Sequence, residues 1–124
     1  MLLVKTRAQA SPIEGVGLFA AEPIAKGTVV WRFEPGIDLV VPEDRVARLP
    51  DAAQAFFRRY AFPCPFFPGG LLHSFDNTRF INHDARNPNL DNSGAETVAL
   101  RDIAEGEELT TDYDELEPGF VLEP

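Results

Sequence analysis

The sequence predicts a mainly β protein with short helices, and three observations carry that expectation. Nine glycines and eleven prolines punctuate 124 residues, a density that favours many short elements joined by turns. Between them the apolar residues fall into brief β-branched and aromatic runs, the composition of strands. Only one segment, Asp51 to Tyr60, has helical spacing free of proline and glycine.

Taken in order, Val4-Lys5-Thr6 and Val16-Gly17-Leu18-Phe19-Ala20 read as short strands. Ile24-Ala25-Lys26-Gly27 reads as a turn into a strand over Thr28–Glu34, which Pro35-Gly36 stops. Asp51-Ala52-Ala53-Gln54 has the spacing of a capping box, an Asp cap with Gln three positions on. Phe56 and Tyr60 then fall one turn apart on one helical face. The next stretch, Phe62-Pro63-Cys64-Pro65-Phe66-Phe67-Pro68-Gly69-Gly70, cannot continue the helix, because its prolines remove backbone donors. It is either a flap over the core or one wall of a cleft. The last third returns to β: a strand at Thr97–Leu100, a turn at Ile103-Ala104-Glu105-Gly106, and a strand at Glu107–Tyr113. The two turns echo each other in sequence, a common solution to one hairpin problem rather than a repeat.

Length suits one domain, residues 1–124. A single cysteine, Cys64, allows no internal disulfide and no cysteine-built zinc site. With no secretory signal at the start of the chain, the expected location is cytoplasmic. No apolar run approaches the ~20 residues of a membrane span, so no membrane partner is expected. The net charge of −9 is unevenly spread: residues 91–124 hold eleven acidic residues and one basic residue, Arg101. That third repels nucleic acid phosphates and attracts basic polypeptides; it would equally serve as a solvated face.

Three stretches could carry chemistry. Glu14-Gly15-Val16-Gly17-Leu18 sets two glycines about one residue, which suits a plain turn or a backbone lying close to a ligand. Asn77-Thr78-Arg79-Phe80-Ile81-Asn82-His83-Asp84, with Asn87-Pro88-Asn89, crowds amides, an imidazole and a guanidinium around Phe80 and Ile81. Those groups either hold a turn or read an amine or carboxylate. His73 and His83 have no spacing that selects a metal, so none is expected. Tyr113 closes the acidic strand. A tyrosine there is most often a core aromatic with a bonded hydroxyl, and it gains meaning if the fold brings it to Asn82-His83.

Gly15-Val16-Gly17, then Arg79-Phe80-Ile81-Asn82-His83 with Pro88-Asn89, then Gly106-Glu107-Glu108-Leu109-Thr110-Thr111-Asp112-Tyr113 resemble the three ordered signatures of SET-domain protein-lysine N-methyltransferases. The likeness covers a core of about residues 13–113. It implies a β-clip-like SET-domain fold of small curved sheets with a C-terminal pseudoknot, a variable insert over about residues 40–75 and a short tail at 114–124. It implies S-adenosyl-L-methionine as methyl donor, without a metal, and a lysine entering from the opposite side. Gly15, Val16, Gly17, Arg79, Phe80, Asn82, His83 and Phe120 would bind the cofactor. Phe33, Tyr60 and Tyr113 would line the substrate channel, with Tyr113 catalytic. The chain departs from the pattern in three places: Asp84-Ala85 stands where Ser-Cys is usual, Pro88-Asn89 sits one residue late, and Phe33 occupies a common tyrosine position. The expected partner is a basic protein or peptide, and a homodimer through Phe66 and Phe67 is a further expectation if those rings are exposed. A SET-fold module that docks a basic partner through its acidic third, without transfer, is the alternative.

Overall fold

The computed structural model describes residues 1–113. The described residues form short strands with few short helices and no closed barrel. Strand β1 (Thr6–Ala10) pairs antiparallel with β2 (Val16–Ala20), from Thr6 opposite Ala20 to Ala10 opposite Val16. The first strand therefore starts where the sequence reading had it end. Exposed residues without alternation are recruited by the ladder to β2, and Val4 packs on the core instead. Strand β3 (Val29–Trp31) is shorter than predicted, because its partner β9 (Thr97–Ala99) offers only three residues and the register shifts between Val29 and Trp31. Strand β8 (Leu90–Asp91) completes that sheet on the far side of β9.

Residues near 40–75 form a second small sheet, β4 (Leu39–Val41), β6 (Leu71–His73) and β5 (Phe62–Pro63), with β6 central. Two helices lie between β4 and β5. Helix α1 (Glu43–Val46) was not anticipated; α2 (Asp51–Tyr60) has the predicted bounds. The predicted capping box does not form. Pro50 is the N-cap, with no side-chain cap, and Gln54 instead donates to the carbonyls of Leu49 at 2.8 Å and Ala47 at 3.2 Å. The proline's fixed φ starts the helix, and Gln54 satisfies carbonyls just beyond α1.

The two echoing turns meet in space. Ile24 and Ile103 exchange both backbone hydrogen bonds, at 2.9 and 2.8 Å. Gly27 N–H donates to Ala99 O and Gly106 N–H to Ala20 O, each at 2.8 Å. Gly27 (φ 86°) and Gly106 (φ 91°) occupy the left-handed region at matching places, which glycine enters without a Cβ penalty. Ile24 and Ile103 are buried beside Leu18, Val30, Ile81, Leu90 and Leu109, the core that fixes one sheet against the next.

The last pairing is parallel: β7 (Asn82–His83) lies beside β10 (Thr110–Thr111), with Thr110 opposite Asn82 and Thr111 opposite His83. Only two residues of the predicted 107–113 strand are ladder. Glu107 and Glu108 instead meet β2, where Ala20 N–H donates to Glu107 O and Phe19 bridges Glu108. This segment thus joins the first, second and third motifs.

Candidate active site

The second motif is held from both ends. Asp76 caps a 3-10 turn at Asn77–Phe80, accepting from Thr78 N–H at 3.1 Å, from the Thr78 hydroxyl and from Leu2 N–H at 2.8 Å. Burial pushes the Asp76 carboxyl up, but these hydrogen bonds and the Met1 ammonium outweigh it and hold the group below its ordinary range. Beyond β7, Asp84 accepts from the N–H groups of Arg86 and Asn87, so the departure from Ser-Cys forms a turn of its own. Asn89 is buried, donating to Glu108 O at 2.8 Å and accepting from Thr110 N–H at 2.9 Å. Its carboxamide mimics a strand neighbour and stitches the second motif to the third. Local pattern assigns Asn89 no role, because its partners lie about twenty positions away.

Asn82 is buried, and its Nδ2 donates to Glu108 Oε2 at 2.8 Å and to Glu14 O and Ser11 Oγ at 3.2 Å. Gly17 belongs to the same cluster: a Cβ there would collide with Glu108 Oε2 and lie 2.9 Å from Ser11 Cβ. What closely approaches the second glycine is therefore the Glu108 carboxylate. Gly15 (φ 44°) turns the hairpin, with open space where a side chain would be, and Val16 is exposed. Glu14 to Val16, Asn82 and the exposed ring of His83 thus gather near one edge of the core.

Tyr113 reaches this edge. Its N–H donates to His83 Nδ1 at 3.0 Å, and the two rings lie 5.0 Å apart. Its hydroxyl donates to Ile81 O at 2.6 Å. Burial pushes the phenol up to about 12, with Glu14 reinforcing and Arg59 opposing. The phenol therefore stays neutral at ordinary pH, with its hydrogen committed to Ile81 and its oxygen lone pairs able to accept.

On the other side Tyr113 lines a cavity that is partly open to solvent. Its walls include Trp31, Tyr60, Phe62, Phe67, Arg79 and the small loop at Asn92, Gly94 and Ala95. The aromatic-proline loop is thus a cleft wall and no flap: Phe62, Cys64 and Phe67 face the cavity. Of the two rings considered for a dimer, Phe66 is exposed, whereas Phe67 stacks on Phe33 at 4.7 Å. Phe33 is not among the residues lining this cavity; its ring stacks on that of Phe67, which is. Arg79 faces the cavity with its guanidinium 4.4 Å above the Phe80 ring, anchored on Asp76 O at 3.0 Å. Phe80 packs on the core and edge-on to Tyr60. Gly15, Val16, Gly17, Asn82 and His83 are not among the lining residues either. The site thus has two sides, with Ile81 and Tyr113 between them. Phe120 lies outside the described residues. The 92–95 loop escaped sequence reading because nothing in Asn92-Ser93-Gly94-Ala95 signals more than a turn.

Comparison with known proteins bears on the fold. A candidate histone methyltransferase from Plasmodium falciparum shares 16% identity with a TM-score of 0.60, covering 90% of this chain and 95% of that one. A ctPRC2 structure in an autoinhibited conformation bound to S-adenosylmethionine gives 24% identity and a TM-score of 0.64, covering 94% of this chain. A humanized mutant of the Chaetomium thermophilum Polycomb Repressive Complex 2 bound to the inhibitor GSK126 gives 25% and 0.62, again covering 94%. The match spans 16% of each of those two larger chains. No curated protein matches in sequence. The family model for the SET domain matches residues 15–114. With that match over most of its length and the fold of SET methyltransferases in its strands, the chain belongs to the SET-domain family.

Proposed function

We propose that the protein transfers a methyl group from S-adenosylmethionine to the side-chain amine of a lysine in a basic protein or peptide. The observation that carries this reading is the seat of Tyr113, between the Asn82-His83 edge and the aromatic cavity. The residues at that edge fit the cofactor. Asn82 spends its N–H groups on Ser11, Glu14 and Glu108, which leaves its carboxamide oxygen as acceptor for an ammonium or amino group. The open hairpin at Gly15-Val16 and the exposed His83 ring leave surface for an adenosyl group. Bound there, the cofactor supplies an electrophilic methyl on a sulfonium.

The chain's own part is to present a neutral amine in line. A free lysine titrates near ~10.4, so deprotonation at pH 7 costs about 4.6 kcal/mol. Aromatic walls disfavour the ammonium form by desolvation, and the Arg79 guanidinium at the cavity adds repulsion in the same direction. Tyr113 is too weakly acidic to serve as a base through its anion at neutral pH. Its neutral oxygen, with the hydrogen given to Ile81, accepts an amine N–H and aligns the lone pair. Such orientation can contribute roughly 7–11 kcal/mol to the rate.

Tyr113→Phe tests the reading. Labelled methyl incorporation into a lysine-rich peptide is expected to fall at least about a hundredfold, while calorimetry shows affinity for S-adenosylhomocysteine within about twofold of wild type. Undiminished transfer by the variant overturns the role of Tyr113. Wild-type protein that binds the product but transfers nothing is the docking module, and one that shows no thermal shift with it has no such cofactor.

A further inference from the structure

We infer that Glu108 is a positioning residue that orients the Asn82 carboxamide, holding its oxygen toward the cofactor. This rests on the reading of Asn82 as a cofactor contact. Glu108 Oε2 accepts from Asn82 Nδ2 at 2.8 Å, and both carboxylate oxygens lie 2.8 Å from the Ser11 hydroxyl. Glu14 O offers the same amide a second acceptor at 3.2 Å. A carboxylate and a backbone carbonyl only accept hydrogen bonds, so together they draw the amide hydrogens to their side. The reversed amide would set oxygen against oxygen and leave buried polar atoms unsatisfied.

Glu108 is itself fixed by the fold. It bridges Phe19 of β2, and the next residue, Leu109, donates its N–H to Leu18 O at 2.8 Å. The carboxylate fills the space that any side chain at position 17 would need. The second glycine of the first motif, the second glutamate of the third and the asparagine of the second therefore act as one device. Glycine makes room, glutamate selects, and asparagine presents its oxygen.

Glu108→Gln keeps shape and size but replaces the acceptor-only group with an amide that can donate or accept, which removes the selection. Affinity for S-adenosylhomocysteine is expected to fall about tenfold, or about 1.4 kcal/mol. In the ligand-free protein the Asn82 side-chain amide signals in a 15N NMR spectrum broaden or double as both orientations become populated. Gly17→Ala pushes the end of the Glu108 side chain aside and produces the same two changes. Because the two substitutions break one link, the double variant loses no more affinity than the weaker-binding single variant. Wild-type affinity and an unchanged Asn82 amide signal in folded Glu108→Gln overturn the role, as do fully additive losses. If wild type itself fails to bind the product, the cofactor reading of Asn82 falls and takes this role with it. Binding by wild type with no change in Glu108→Gln overturns only the part given to Glu108.

Discussion

Tyr113 shows how one side chain acquires its properties from residues far from it in sequence. Its backbone is held by His83, its hydroxyl by Ile81 and its ring by the cavity wall. Because burial raises the phenol to about 12, the folded state keeps this proton where an unfolded chain would lose it near pH ~10. The stability that follows is present below pH ~10 and lost as pH rises toward 12. A titration followed by tyrosinate absorbance is expected to show a step near 12 that disappears in Tyr113→Phe. A Tyr113 step near pH 10 in folded protein would mean that the phenol is solvated.

At the scale of elements, α2 is fastened to β6 by aromatic contacts around His73. Its ring lies 5.5 Å from Phe56 and 5.6 Å from Phe57, and its Nδ1 is buried with no hydrogen-bond partner among the described residues. Burial and the Arg79 charge lower the His73 pKa against the pull of Asp38. The unfolded chain therefore binds this proton more readily. The contact is fully stabilising above about pH 6.5 and weakens as pH falls through the folded value. His73→Phe fills the same site with no orphaned nitrogen. Its thermal midpoint is expected to exceed wild type, by roughly 1–3 kcal/mol of stability, and to lose the wild-type decline just below pH 6.5. The paired turns make a second test of packing. Ile103 is 1% exposed and faces Ile24 across a two-way hydrogen bond, so Ile103→Ala is expected to cost about 3 kcal/mol in urea unfolding. A loss below about 1 kcal/mol would show that the turns close without that contact.

Over the whole molecule, charge and topology divide the labour. Residues 91–124 carry eleven acidic groups against one basic, and the described part of that third supplies both β9 and the strand beside Asn82-His83. Methyl transfer to a lysine-rich peptide is therefore expected to show an association rate that falls as salt rises from 50 to 300 mM, by about tenfold. A flat response would disconnect the acidic third from substrate capture. How much of this was legible beforehand depends on the range of the interaction. Helix α2, strand β2 and the turns at Gly27 and Gly106 follow from neighbours in sequence: proline stops, alternating bulk, a glycine where φ must be positive. The three motifs were legible because their residue types are unusual in company, and so was the family. Strand ends were not, since β3 stops where β9 runs out and β1 extends because β2 is there to receive it. Nor could local pattern reveal that Phe33 stacks on Phe67, that the 92–95 loop walls the cavity, or that Glu108 fills the space beside Gly17. The sequence by itself determined the class of fold, its punctuation and the chemical groups on hand, because those depend on backbone preference and side-chain type. Only the tertiary structure decided which carboxylate faces which amide and which ring faces the cavity, because hydrogen bonds and packing act over a few ångströms between residues that the chain keeps dozens of positions apart.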